Sequence, residues 1–204
     1  MNRPLRKLVE PDLTITDFLD LVSEAKEDRF ELIDGRAVAM TGNTLRHQSL
    51  VGNLYTALRE RSRPRGCRTY PGDVFIGTGS DDHFLGVPDV FVRCGPPIEG
   101  RVITDPVIVV EVLSPSTIVK DRGYKFERYA SIPSLTQILL VHQNEARVES
   151  WTRSPGSEDD VPAWIMAPFV GLDAALPLPA LEADLPLALV YEDVDLSPAA
   201  AASA

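Results

Sequence analysis

One acidic residue sits inside the most apolar run of the chain: Glu111, in Val107-Ile108-Val109-Val110-Glu111-Val112-Leu113. A carboxylate there is costly to desolvate unless a cation or hydrogen-bond donors meet it; the alternative is a strand-end glutamate that tips into solvent before Pro115. A second carboxylate, Asp89, opens Pro88-Asp89-Val90-Phe91-Val92. The loop between the two runs, Arg93 to Asp105, carries Gly95, Pro96, Pro97 and Gly100 and favours a reversal of direction, so the strands can pair antiparallel. The start of the first then lies beside the end of the second, which can bring both carboxylates over one spot. Hard oxygen donors at a sheet edge suit Mg²⁺, an ion that keeps several of its waters. Taken alone, Asp after Pro is a common turn residue.

Such a pair calls for a basic group. The chain has four lysines, Lys7, Lys26, Lys120 and Lys125. The last two follow the Glu111 strand directly. Lys125 is four residues beyond Asp121 and four before Tyr129, so one helical face reads Asp121, Lys125, Tyr129; an exposed i, i+4 salt bridge without a role is the plainer reading. His47 lies one helical turn ahead of Val51 and on its side, which aims it inward, where a histidine is more often structural than a ligand. Glu31 shares a strand face with Ile33 and has a path into the same cleft. Gly77-Thr78-Gly79 is too weak a pattern for a phosphate loop, because no helix follows it. Cys67 and Cys94 have no metal-like spacing and fit a reduced, cytoplasmic protein.

These residues need elements to hold them. Thr14 or Thr16 can cap a helix carrying Phe18, Leu19 and Val22 and ending near Lys26. Phe30 to Met40 reads as two strands about Asp34-Gly35, a dipeptide that tolerates the positive φ of a tight hairpin. From Arg46 to about Arg61, Leu50, Val51, Leu54 and Leu58 recur at helical spacing. Strands are expected at Asp73 to Ile76, Val87 to Val92 and Val107 to Leu113. Ser116 or Thr117 can cap a helix reaching Ala130 despite Gly123. A hairpin of Ile138 to Val141 and Ala146 to Trp151 closes the main body. Beyond Ser154-Pro155-Gly156-Ser157 the chain turns proline-rich, and an appended hairpin (Ala163 to Val170) with a short terminal helix or strand is expected to pack on the core. Ser197 to Ala204 is expected to fray. The domains expected are thus a core over 1–153 and an acidic extension over 154–204.

The 204 residues suffice for one good-sized domain, and 44% hydrophobic with 25% charged residues is ordinary globular composition. No apolar run approaches the ~20 residues of a membrane helix, and no apolar stretch follows the N-terminal charges as a secretory signal requires. The net charge of −10 argues against a nucleic-acid partner until it is resolved by position. All twenty Lys and Arg lie at or before Arg153, where twenty-one acids oppose them; the other nine acids follow. Between Arg46 and Arg68 six Arg face the single Glu60. The acidity belongs to the extension, and the body carries one concentrated basic stretch.

The succession Phe30-Glu31-Leu32-Ile33-Asp34-Gly35, His47-Gln48-Ser49-Leu50-Val51-Gly52-Asn53-Leu54, Pro88-Asp89-Val90-Phe91-Val92, Val110-Glu111-Val112-Leu113-Ser114-Pro115-Ser116-Thr117 and Asp121-Arg122-Gly123-Tyr124-Lys125 resembles the motifs of the Uma-two family, grouped with restriction endonucleases in the PD-(D/E)XK nuclease superfamily. The resemblance spans about residues 14 to 153. It implies an α/β fold, a restriction-endonuclease-like core with a mixed central β-sheet flanked by helices, here bearing a C-terminal β-rich extension. Asp89 would match the Asp of the PD motif and Glu111 the acidic residue of the second motif. Leu113 stands where the superfamily's usual lysine would be, and the lysine of this family is on the following helix, here Lys125. Glu31 and His47 match positions typical of the family. His142 stands where members often have Asp.

The implied activity is Mg²⁺-dependent cleavage of DNA phosphodiester bonds, with Mn²⁺ as a substitute. Asp89, Glu111 and the Val112 carbonyl would hold metal, Lys125 would orient water or stabilise the transition state, and the Arg46 to Arg68 stretch would grip phosphates. A homodimer would supply two sites for two strands. The alternatives are a nuclease fold that binds nucleic acid or a protein without turnover, and a hydrolase of another phosphate ester.

Overall fold

A computed structural model describes residues 12–25, 29–40, 42–80, 83–114, 121–154 and 163–196, apart from the side chains of Asp121 and Arg122. The expected caps at Ser116 and Thr117, the roles of Lys7, Lys26 and Lys120, and the fraying of 197–204 lie outside the described residues.

The chain opens with α1 (Ile15–Glu24), whose N-terminus is closed by a capping box: Thr14 accepts from the Asp17 N–H and Asp17 reaches back to Thr14. Strands β1 (Phe30–Ile33) and β2 (Arg36–Ala39) form the expected hairpin, with Asp34 and Gly35 at φ 51° and 70°. The helix α2 (Leu45–Ser62) is capped by Thr44 and runs into a 3₁₀ turn at Arg63–Arg65.

The central sheet has six strands in the order β10-β9-β8-β7-β5-β3. They are β3 (Cys67–Pro71), β5 (Val90–Cys94), β7 (Ile108–Leu113), β8 (Gln137–His142), β9 (Arg147–Arg153) and β10 (Trp164–Val170). Only the β7–β8 pairing among these is parallel, so the sheet is mixed. Two-residue strands β4 (Phe75–Ile76) and β6 (Val102–Ile103) pair beside it. A π-type turn at Asp121–Lys125, broken at Gly123 (φ −101°, ψ −106°), leads into the short α3 (Phe126–Ala130). The hairpin of β11 (Ala175–Leu178) and β12 (Ala183–Pro186) and the single-turn α4 (Leu187–Val190) end the described chain.

Side chains alternate across the sheet, and each face has its own core. Val90, Val92, Ile108, Val110 and Val112 pack with Leu50, Leu54 and Leu58 of α2, and Leu176, Leu178, Leu181, Leu185, Leu187 and Val190 join them. Phe91, Val109, Leu113, Ile138 and Leu140 face the other way, toward Tyr129, Ile132 and Leu135. A third cluster, around Phe18, Phe30 and Leu32, holds α1 and β1.

Four expectations are revised. Cys67 to Pro71 forms the edge strand β3, which the surrounding arginines masked: Cys67 and Thr69 are buried while Arg68 is exposed and Tyr70 half-buried, the alternation of a half-buried strand up to its last residue. Residues 163–170 form no separate hairpin but extend the main sheet as β10, paired with β9. The expected single helix to Ala130 is interrupted by the non-helical Gly123. The expectation of reduced thiols is replaced by a disulfide: Cys67 and Cys94 are direct partners across β3 and β5, with Cα atoms 4.1 Å apart. Spacing along 27 residues could not show that pairing. No helix among the described residues is long and apolar enough to cross a membrane.

Candidate active site

The β5–β7 register pairs Val90 with Val110. Extended by one residue, it sets Asp89 opposite Glu111, and the Asp89 N–H donates to the Val110 carbonyl at 3.1 Å. The expected antiparallel approach of the two carboxylates is therefore present. Like charges directly opposite one another on a sheet are destabilising, so the arrangement requires positive charge or donors nearby.

The surroundings supply both. Asp89 Oδ2 accepts from the Val112 N–H at 2.7 Å, and its Oδ1 lies 3.4 Å from His47 Nε2. His47 comes from the first turn of α2, directed inward as the spacing implied. Glu111 Oε1 lies 2.6 Å from Lys125 Nζ and accepts from the Tyr129 hydroxyl at 3.1 Å. Lys125 also reaches Glu31 Oε1 at 2.9 Å, and that same oxygen accepts from the Val87 N–H at 3.0 Å. Five elements or their ends thus converge: β1 brings Glu31, α2 His47, the lead into β5 Asp89, β7 Glu111 and the turn before α3 Lys125.

Burial makes these contacts strong. Glu31 is 2% exposed, Lys125 3%, His47 4% and Glu111 5%, whereas the Asp89 side chain keeps 18%. Lys125 is therefore not the exposed i, i+4 partner of a surface helix; it bridges two buried carboxylates, and removing any one would strand a charge. The hydroxyl pKa of Tyr129 is held well above its ordinary range, first because it is buried; Lys125 acts to lower it, and Glu111 and Glu31 act to raise it. It is a neutral donor to Glu111 across physiological pH.

All five side chains singled out in the sequence are brought together. Tyr129 is an addition: it stood on the Lys125 face in the sequence, and only packing shows that its hydroxyl ends on Glu111. Close approach of Gly86 makes room for it, since a Cβ there would come within 2.5 Å of the Tyr129 oxygen. Val112 enters through its N–H. His142 lies beside Leu113 in the sheet register, but its nitrogens are 3.0 Å from Glu149 and 3.3 Å from Glu145.

The basic stretch divides. Arg46 adjoins His47 and binds Asn144 Oδ1 at 2.7 Å. Arg59 to Arg68 belong to the other end of α2 and to β3, since an 18-residue helix is about 27 Å long. Part of that cluster is engaged by the acidic extension: Arg65 forms a two-pronged pair with Glu182 (2.6 and 2.8 Å), and Arg61 donates to the Asp184 carbonyl at 2.6 Å.

Among the described residues no group of three or more His, Cys, Asp or Glu side chains is placed to hold a metal. A hard divalent ion would therefore rely on the two facing carboxylates, Asp89 and Glu111, with main-chain oxygen and water completing its shell. That donor set fits Mg²⁺, which binds through one or two carboxylates and retains water.

Comparisons with known proteins agree with this architecture. A family model described as "Uma2: Putative restriction endonuclease" matches residues 15–189. The uncharacterized protein slr1290 of Synechocystis sp. is 32% identical over 146 residues, covering 71% of this chain and 76% of its own. The uncharacterized protein sll1609 of the same organism is 26% identical over 168 residues, 80% of this chain and 91% of its own. A crystal structure of a "putative nuclease belonging to DUF820" from Anabaena variabilis superposes with a TM-score of 0.65 over 88% of this chain and 97% of that one, at 18% identity, a likeness of fold. With its mixed sheet, flanking helices and a family match that takes in every residue of the cluster, the chain belongs to the Uma2 family.

Proposed function

We propose that this protein is a metal-dependent endonuclease that hydrolyses phosphodiester bonds of DNA. The observation that carries the reading is the buried meeting of Lys125 with Glu111, directly opposite Asp89. Mg²⁺ or Mn²⁺ held by Asp89 and Glu111, with the Val112 carbonyl as a further oxygen, would supply positive charge against the growing charge of the phosphoryl oxygens.

The protein's own groups do the rest. The Val112 N–H fixes the rotation of the Asp89 carboxylate and leaves Oδ1 on the His47 side. The Tyr129 hydroxyl and Lys125 fix Glu111. Lys125, held by Glu31 on its other side, orients an attacking water and stabilises the transition state electrostatically. His47, beside the partly exposed Asp89 carboxylate, would assist proton transfer at the reacting phosphate ester.

Supercoiled plasmid incubated with Mg²⁺ or Mn²⁺ tests the reading, comparing wild type with Glu111→Ala and Lys125→Ala. Nicking by wild type alone is expected. Equal nicking by all three removes the assigned site, and no nicking by any turns the assignment to a silent binding module.

A further inference from the structure

The catalytic cluster uses one end of α2; the other end borders a groove. Between α2 and β3 lies a hollow of about 520 Å³ whose wall includes Arg59, Arg63 and Arg68, together with Tyr55 and Tyr70. Three arginines of one stretch therefore face a single space, and among the described residues no carboxylate lines it. Glu60, the only acid of the stretch, lines a different hollow with Asn53 and Glu192.

The arginines of this stretch differ in their partners. Arg46, Arg61 and Arg65 are taken by Asn144, by main-chain oxygens including that of Asp184, and by Glu182. The Arg59 and Arg63 guanidinium groups are exposed and have no hydrogen-bond or ion-pair partner among the described residues, and Arg68 makes one bond, to the Gly95 carbonyl at 3.0 Å. The floor is polar and fixed, with Ser62 and Thr69 hydroxyls 3.0 Å apart and buried.

The direction of β3 gives the groove a destination. It is the edge strand of the sheet, and Pro71 at its end pairs with Val90, the residue after Asp89. The Gly72 N–H then donates to the Asp89 carbonyl at 2.9 Å. From Cys67 to Pro71 the strand covers about 13 Å, so β3 runs from the arginine-lined groove to the backbone beside Asp89.

We infer that this groove is a nucleic-acid binding track: Arg59, Arg63 and Arg68 hold the phosphodiester backbone of a strand that runs along β3 toward Asp89. The inference rests on the nuclease reading above and adds where the substrate lies. Contacts of this kind position a strand without reading its sequence, and they release counterions, so affinity falls with salt by about one unit of logarithmic slope per contact. Among the described residues none of the tail lines this groove, while Glu182 pairs with Arg65, so an acidic chain can still present a basic face to a polyanionic partner.

The test measures binding of a fluorescent 20-base oligonucleotide, single-stranded and duplex, by anisotropy in EDTA across a salt series. The proteins compared are wild type, Arg59→Ala/Arg63→Ala/Arg68→Ala, and Arg65→Ala, with circular dichroism confirming that each is folded. The triple variant is expected to bind at least tenfold more weakly, with a salt slope shallower by about three, and Arg65→Ala to stay within twofold of wild type. Unchanged affinity and slope in the triple variant overturn the track. So does absence of oligonucleotide binding by wild type, or binding of inorganic phosphate that matches the oligonucleotide. Plasmid nicking by wild type is scored separately: groove-dependent binding without nicking strikes the reaction assignment alone, and nicking with groove-independent binding strikes the track alone.

Discussion

The Asp89 carboxylate accepts a 2.7 Å hydrogen bond from the main-chain N–H of Val112, the residue next to its cross-strand neighbour Glu111. The orientation of one acid is thus set by the backbone that carries the other. Asp89→Asn can keep that acceptor while losing the charge. Its stability is expected within about 1 kcal/mol of wild type, since one hydrogen bond contributes that much net, and nicking to fall by at least about 100-fold. Urea denaturation and plasmid nicking on the same preparation check both halves, and wild-type nicking by Asp89→Asn would remove Asp89 from the reaction.

Lys125→Met leaves Glu31 and Glu111 buried without their shared cation. A loss of about 3–5 kcal/mol is expected, the usual cost of removing one partner of a buried ion pair. Glu31→Gln retains an acceptor for the Val87 N–H and is expected to cost about 1–3 kcal/mol. Urea midpoints that ranked these two the other way would contradict the bridging geometry.

Gly86→Ala places a methyl group against the Tyr129 oxygen and, at 2.8 Å, the Phe84 ring. Overpacking of this kind costs roughly 1–3 kcal/mol. Tyr129→Phe removes the oxygen, so in the double variant the penalty of the methyl group is expected to shrink. A double-mutant cycle by chemical denaturation measures the coupling, and strict additivity would show that the clash is relieved elsewhere.

Truncation before residue 163 is expected to abolish folding. It strips Leu176, Leu178, Leu181, Leu185, Leu187, Val190 and Tyr191 from the core shared with α2. Full burial of one such side chain is worth about 1.5–3 kcal/mol, so the sum rivals the 5–15 kcal/mol of a typical domain. A cooperative urea transition in the truncated chain would show that the core closes without it.

Alkaline pH should destabilise the protein. Burial raises the hydroxyl pKa of Tyr129 and of Tyr191 in the folded state. Each contributes stability that is complete below the unfolded value near 10 and is lost as pH rises toward the folded value, by about 1.4 kcal/mol per group for each pH unit. Urea midpoints should drop from pH 9.5 to 11, and Tyr129→Phe should flatten the drop.

Much of the site was legible because its residues violate their surroundings. A glutamate within Val107 to Leu113, an aspartate starting a strand and a loop that favours reversal of the chain allowed two carboxylates to be set side by side from local rules. Elimination among four lysines, together with the family motifs, then selected Lys125. Asp34-Gly35 and Thr14 announced their turn and cap through side-chain chemistry that acts within a few residues. β3 was not legible, since five arginines hid a two-residue alternation and nothing local says which strand lies at an edge. Pairing of Cys67 with Cys94, Tyr129 with Glu111, and Glu182 with Arg65 joins residues 27, 18 and 117 positions apart. The sequence by itself determined the kinds of chemical group and the elements that bear them, because periodicity and turn chemistry are local. Only the tertiary structure decided which groups meet, which arginines stay open, and that Lys125 is buried between two acids, because those outcomes depend on sheet order and on packing across both of its faces.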